Sequence, residues 1–273
     1  MLFYIMQTIM FDFIGDLMFK FIISLTLLIG AMTAQAEKIV LTEQNCIVFN
    51  QAVSTEYVSK KTMEILKKAL SAKELYLVLD TPGGSVTAGL NFIDMIKSLN
   101  IKVHTITIFA ASMGYQMVQE LGNRYITPSG TLMSHRGSVG GISGQVPGEL
   151  NTRVNHIQDV LDGMSKRASS RVGMSKKDYD AAIINELWVF GQQAVDQKHA
   201  DSVVDVTCSP ELVEGSYSES ISTIFGEVHL TFSKCPLVSF PLSFSFGKNI
   251  APENFEKVKQ LVNMKKKNIN LIY

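Results

Sequence analysis

Three short segments carry residue types suited to acyl transfer: Thr81-Pro82-Gly83-Gly84-Ser85, Ala110-Ala111-Ser112-Met113-Gly114 and Ser134-His135-Arg136-Gly137. A serine flanked by small residues offers an accessible hydroxyl nucleophile. A glycine pair offers bare backbone N–H groups to an oxyanion, and a histidine offers a base that titrates near neutrality. Ser112 stands where a strand pattern gives way to a helix pattern, so the helix start aims unpaired N–H groups, that of Met113 among them, at developing negative charge. Gly83 and Gly84 follow an apolar strand and Pro82, where glycine permits positive φ and lets a peptide lie against main chain. His135 closes a short β run 23 residues after Ser112. Singly, each has an ordinary reading: Ser112 as a helix cap, Pro-Gly-Gly as a strand–helix turn, His135 as a structural histidine. Of the other histidines, His104 falls in a strand pattern, His156 on a long helix, and His199 and His229 far along the chain.

The elements that must position these groups alternate. Cys46–Phe49 reads as a strand, and Ser54 caps a helix to about Leu70 with Val58, Ile65, Leu66 and Ala69 on one face. The unbroken apolar run Leu75–Leu79 suits a strand covered on both sides. A helix over Val86–Leu99, a strand over Val103–Ile108, a helix over Ser112–Leu121 and short strands near Arg124–Ile126 and Thr131–Ser134 follow. This order implies parallel pairing with crossover helices. Five glycines within Gly137–Gly148 mark a special-geometry loop that fails the spacing of a phosphate-binding fingerprint. Next come a helix over Leu150–Val172, one capped by Ser175 with Asp178 and running to about Ile184, a short helix over Gln192–Lys198 and a strand over Ser202–Val206. Ser216–Ser222 is polar, Glu227–Phe232 and Val238–Phe246 alternate as β segments do, and Pro252–Lys266 reads as a basic amphipathic helix.

With 273 residues, 46% of them hydrophobic, the chain can bury one sizeable α/β core plus additions. Basic and acidic residues balance at 25 each, which gives no field for nucleic acid, and the lysine run Lys265–Lys267 suits a solvated helix end. From Met18 the chain shows Lys20, an apolar stretch Phe21–Ile29 and Ala34-Gln35-Ala36, the parts of a secretory signal peptide cleaved after Ala36. Residues 1–17, interrupted by Asp12 and Asp16, suggest that translation begins at Met18. The organisation expected is therefore a signal peptide over 1–36, a catalytic domain over 37–208 and a C-terminal extension over 209–273. A periplasmic or secreted location follows; an uncleaved N-terminus would instead anchor the chain to a membrane. Cys46, Cys208 and Cys235 allow either one disulfide with a thiol left over, in an unassigned pairing, or buried unpaired cysteines, and none has metal-ligand spacing to a histidine. No metal and no cofactor are expected.

Together these motifs resemble the proteolytic subunit of the Clp protease, a Ser-His-Asp endopeptidase of the ClpP/crotonase fold. The resemblance rests on Pro82-Gly83-Gly84 with Thr87-Ala88-Gly89, on Ala111-Ser112-Met113-Gly114, on Leu132-Met133-Ser134-His135, and on the glycine loop with Gly144-Gln145 before the long helix. It spans about Glu56 to Val206. It implies a spiral of β-β-α units with a parallel sheet, to which this chain adds its C-terminal extension. It also implies Ser112 as nucleophile, His135 as base, and N–H groups of Gly83 or Gly84 and Met113 as the oxyanion hole. The family acid precedes an Ala-Val pair, so Ala194-Val195 places that slot at Glu186, a glutamate where the family usually has aspartate. Some phage-type relatives carry a Glu two residues before Trp, as Glu186 precedes Trp188. Asn185, Asp178 and Asp180 are the alternatives. His135 also precedes Arg136-Gly137 where the family has Gln-Pro.

The expected substrate is a peptide or unfolded protein. A signal peptide would part this chain from the cytosolic unfoldase of the Clp system, so no ATPase partner and no ATP dependence are expected. The long helix is a contact surface for a homo-oligomer, or simply a solvated face. Two other readings compete. One is a signal-peptide-peptidase-like Ser-Lys protease whose base would be Lys97, Lys102 or a lysine elsewhere, since none lies between Val103 and Ser165. The other is a crotonase-like acyl-CoA enzyme or a non-catalytic binding protein on the same fold.

Overall fold

In the computed structural model the described residues are 37–247, 250–254, 256, 257 and 260. In chain order the elements are β1 (Glu37–Leu41), β2 (Cys46–Phe49), α1 (Thr55–Ala69), β3 (Glu74–Thr81), α2 (Val86–Ser98), β4 (Lys102–Ala111), α3 (Met113–Glu120) and β5 (Arg124–Ser134). Then follow α4 (Glu149–Val172), α5 (Lys176–Ala182), a 3-10 turn (Ile183–Asn185), β6 (Leu187–Phe190), α6 (Gly191–Asp196), β7 (Ser202–Cys208), α7 (Pro210–Glu214), β8 (Ser216–Thr223), β9 (Gly226–Ser233) and β10 (Ser243–Phe246). The signal-peptide segment 1–36 and most of the helix expected over 252–266 lie outside the described residues; Pro252–Asn254 forms a 3-10 turn.

Seven strands form one sheet in the order β1-β7-β5-β4-β3-β2, with β6 added to β5. Every pair is parallel except β5·β6. The period-2 geometry of a strand sorts its side chains between two cores. Leu75, Leu77 and Leu79 of β3 join the core under the helices with Phe92, Met113 and Val118. Val78 and Ile106 face the other core, with Ile39, Leu41, Val204, Leu212 and Cys235. That two-sided cover explains why β3 is an unbroken apolar run.

Local signals set the helix starts. The Ser54 side chain accepts from Tyr57 N, Ser85 from Ala88 N and Ser175 from Asp178 N, each capping an otherwise orphaned donor. On α1 the buried face is Tyr57, Val58, Lys61 and Ile65, while Leu66 is exposed and Ala69 only half-buried, a rotation from the face expected.

The two short strands expected near 124–126 and 131–134 are the ends of one strand, β5. Its first part pairs with β7 at Tyr125 and Ile126, its last part with β6 from Thr131 to Ser134. Between them the β4·β5 ladder slips at Ile108, opposite a stretch with Pro128, which has no N–H to donate.

In the C-terminal region β8, β9 and β10 form a separate antiparallel sheet. Ser216–Ser222, read as merely polar, is strand β8: most of its residues are exposed, so no apolar alternation marks it. Of Val238–Phe246 only the last four residues are a strand, the part after Pro241. Cys208 at the end of β7 is disulfide-bonded to Cys235, just beyond β9. Cys46 is the thiol left over; burial pushes its pKa up to about 12, which keeps it a protonated, inert core residue.

Candidate active site

The parallel registers decide where the three motifs meet. Thr81 at the end of β3 stands beside Ala110 of β4, and Ala111 stands beside Met133 of β5. The chain leaving each strand carries Gly83-Gly84, Ser112 and His135 respectively, so all three emerge along one carboxyl edge of the sheet, the usual place for ligands in open α/β sheets.

Ser112 has φ 55 and ψ −116, a conformation that a non-glycine residue holds only when its surroundings fix it. Its N–H donates to Met133 O at 2.8 Å and its carbonyl accepts from Gln116 N at 3.2 Å, which fixes the turn from both sides. Its side chain caps nothing. The hydroxyl instead lies 2.7 Å from His135 Nε2.

The glycine pair closes over this turn. A Cβ on Gly83 would come within 2.5 Å of Ala111 O, 2.7 Å of Ser112 Cβ and 2.8 Å of Met113 N, and Gly83 has φ +85. A Cβ on Gly84 would come within 2.5 Å of Val53 O. Main-chain bonds clamp the loop, with Val53 N donating to Gly83 O and Ser85 N donating to Val53 O. Gly83 N donates to Thr81 Oγ1 at 3.2 Å. Gly84 N has no protein acceptor among the described residues, and Met113, first residue of α3, has none within its helix. Those two amides are the donors left available beside Ser112.

A cavity of about 380 Å³ opens onto Ser112 and His135, with Val86, Met113, Leu161 and Ile183 as its apolar wall. Asp180 also lines it. Burial pushes the Asp180 carboxyl up, but hydrogen bonds from Lys176 and Ser165 outweigh that and hold its pKa below the usual range. Lys176 Nζ lies 2.7 Å from Asp180 and 3.1 Å from Asp162.

Glu186 lies off this cavity lining: its Oε2 accepts from Trp188 Nε1 at 3.0 Å. Among the described residues no hydrogen bond joins His135 to a carboxylate. The backbone nevertheless places the two as neighbours. In the antiparallel β5·β6 ladder Ser134 opposes Leu187, and the next residues outward are His135 and Glu186. Asp178 is engaged by Ser175 at the start of α5. The lysines considered as a dyad base are elsewhere. Lys102 begins β4, whose far end leads into Ser112 about 30 Å away at ordinary strand rise. Lys97 is paired with Glu120 at the distal end of α3.

A buried polar chain lies beneath the pair, and the sequence reading did not find it. Ser134 Oγ and Tyr179 Oη are hydrogen-bonded at 2.8 Å, and Tyr115 Oη and His199 Nδ1 at 2.7 Å. The two phenols belong to the same buried core, and burial raises the pKa of both. Gln119 Nε2 donates to His199 O, and Gln119 Oε1 accepts from Arg124, which also binds Asp201. His199, distant in sequence, thus packs under the helix that follows Ser112. Burial, with a smaller contribution from the Arg124 charge, pushes its pKa down to about 4.

Such a histidine is neutral in the fold and must gain a proton when the chain unfolds below pH 6.5. Stability is therefore complete above that pH and falls as pH drops toward about 4. Urea unfolding at pH 7 and pH 5 is expected to differ by about 2 kcal/mol on this account. His199→Gln should remove most of the slope, leaving that of His104, whose pKa burial also lowers. An unchanged slope in the variant contradicts this assignment. Asp201 and Glu120, held low by their cation partners, lose their contribution only below pH 4.5.

The fold thus defines the class: a mixed α/β protein with a mostly parallel sheet and a polar cluster at the carboxyl ends of adjacent strands. The family model described as Clp protease matches residues 30–207, well over half of the chain. The chain belongs to the Clp protease family, on a ClpP/crotonase-like fold, and its family activity is that of a peptidase, a hydrolase of peptide bonds.

Proposed function

We propose that this chain is a serine-type endopeptidase, exported and acting without an ATPase partner. The observation that carries the reading is the 2.7 Å approach of Ser112 Oγ to His135 Nε2 in a strained turn with unpaired amides beside it. Ser112 Oγ attacks the scissile carbonyl carbon and its proton passes to His135 Nε2. The oxyanion accepts from Gly84 N and Met113 N. Collapse expels the amine, which takes the proton from His135 and leaves an acyl-enzyme; water, giving a proton to the same imidazole, then attacks the ester, and collapse breaks the bond to Ser112 Oγ, which takes that proton back as the acid leaves. Of the two glycine amides weighed, Gly84 is preferred because Gly83 N already donates to Thr81. Glu186 orients the imidazole by turning from Trp188 toward the neighbouring His135, a movement its position one step beyond the β5·β6 ladder allows.

Export is supported by the signal-peptide pattern before Glu37 and by a disulfide of the kind that persists in oxidising compartments. Separation from cytosolic nucleotide-driven partners is the ground for ATP independence.

One experiment tests the whole reading. Protein recovered from an expressing, secretion-competent host is treated with a fluorophosphonate probe, mapped by mass spectrometry and assayed on peptides without nucleotide. Expected are a chain beginning at Glu37, a single adduct on Ser112 and nucleotide-free hydrolysis. An adduct on another residue overturns the site, a retained segment 1–36 overturns export, and strict nucleotide dependence overturns autonomy.

A further inference from the structure

We propose that Tyr179 is a positioning residue that holds the strand bearing His135 and the helix following Ser112 in mutual register; this rests on the Ser112–His135 reading above. Tyr179 is 2% exposed, and its phenol enters the interior from α5. At one side it meets Ser134 Oγ at 2.8 Å. Ser134 is the last residue of β5 and immediately precedes His135; Ser134 is buried and His135 half-buried, and both border the cavity. On its other side lies the core it shares with Tyr115, 1% exposed and three residues beyond Ser112 on α3.

Tyr115 is itself anchored. His199 Nδ1 holds its hydroxyl, and Gln119, one turn further along the same helix face, donates to the His199 carbonyl and accepts from Arg124. The helix therefore cannot slide or roll without breaking two bonds to the segment around His199. Tyr179 transmits that fixed position to the strand. Nucleophile and base stand on different elements, so their 2.7 Å separation depends on how those elements sit against each other.

Apolar packing alone is a poor ruler for that distance. A buried hydroxyl costs free energy unless it is bonded, and a phenylalanine would fill the same volume without the cost. What the hydroxyls add is direction: the two short bonds, Ser134–Tyr179 and Tyr115–His199, fix the phenols that pack between strand and helix, whereas a purely apolar interface tolerates small shifts. Acyl transfer is sensitive to shifts of that size, since a 1 Å misplacement costs about 100-fold.

The test uses Tyr179→Phe, which deletes one oxygen, and Ser134→Ala, which deletes its partner from the other side. Fluorophosphonate labelling rate, kcat and KM on a peptide substrate and thermal unfolding are measured for each, for the double variant and for Ser112→Ala. Expected is a fall of about 10- to 100-fold in labelling rate and kcat for either single variant, with KM within about twofold. The double variant should be no worse than the worse single one, because both break the same bond. Tyr179→Phe that merely unfolds at lower temperature, with wild-type kcat and labelling rate below that temperature, overturns the proposal. Losses that multiply in the double variant overturn it too, and if Tyr179→Phe fails to fold, Ser134→Ala decides alone. Should Ser112→Ala retain activity, it is the Ser–His reading that falls, and the positioning role falls with it; an inactive Ser112→Ala beside a fully active Tyr179→Phe defeats the positioning role only.

Discussion

Ser112→Ala is expected to lower peptidase turnover by a factor of about 10⁴ to 10⁶, His135→Ala by nearly as much, and the double variant by no more than the worse single one. The reason is structural as well as chemical. The two groups form one hydrogen-bonded unit, and among the described residues neither side chain is hydrogen-bonded to anything else. An imidazole without the hydroxyl has nothing to activate, and a hydroxyl without the imidazole keeps its proton at neutral pH. Any residual rate should come from binding and from the Gly84 and Met113 amides, which both substitutions leave in place. The measurement is initial-rate hydrolysis of an unstructured peptide, with thermal unfolding as the control. Neither variant is expected to lose stability, because the Ser112 side chain caps no helix donor and the turn is held by main-chain bonds to Met133 and Gln116. Multiplicative losses in the double variant would mean that Ser112 and His135 act separately, and the shared mechanism would be wrong.

Gly83→Ala is expected to cost at least about 100-fold in turnover, the scale of losing an oxyanion donor, and to destabilise the fold measurably. The added methyl meets three groups of the nucleophile turn at once, and each is backbone or Cβ that cannot swing aside. Positive φ adds strain whatever the space. Relief requires Ala111–Met113 to move away from Gly83, which displaces both the hydroxyl and the Met113 amide. Gly140→Ala is the matched control: its methyl would meet nothing within 4 Å, and it lies in the exposed loop after His135. It should leave turnover and thermal midpoint near wild type. Equal behaviour of the two variants would show that Gly83 is not the contact point between the glycine turn and the nucleophile.

The sheet was legible where burial writes itself into the sequence. Leu75–Leu79 is apolar on every residue because β3 lies between two cores, and the alternation of strands and capped helices around it dictated parallel pairing. Ser112 and His135 were legible for a related reason: short motifs at strand ends, on strands that must be adjacent, converge at one edge. What escaped lacked such a pattern. Strand β6 is four residues long with exposed Trp188 and Phe190, and β8 is exposed over most of its length. The Ser134–Tyr179–Tyr115–His199 chain escaped because each member looks like ordinary helix or strand filling; only tertiary packing brings residue 199 beneath residue 115. The acid was the softest reading from sequence, and the structure shows why. Glu186 has φ 66, outside any regular element, so its side-chain direction is set by local partners such as Trp188 rather than by a period.

The Cys208–Cys235 bond ties durability to redox state. It closes a loop with a sequence separation of 27, a restraint worth about 3–4 kcal/mol in chain-entropy terms. Cys235 also belongs to the second core, together with Leu212 of α7 and strands of the main sheet. Under reducing conditions the protein forfeits that restraint and holds its C-terminal sheet by packing and by non-covalent contacts such as the Lys234–Glu43 ion pair. The protein is then sturdier where the bond can form and weaker where it is reduced. The redox state of one cysteine pair thus sets how firmly the C-terminal sheet is held to the main one.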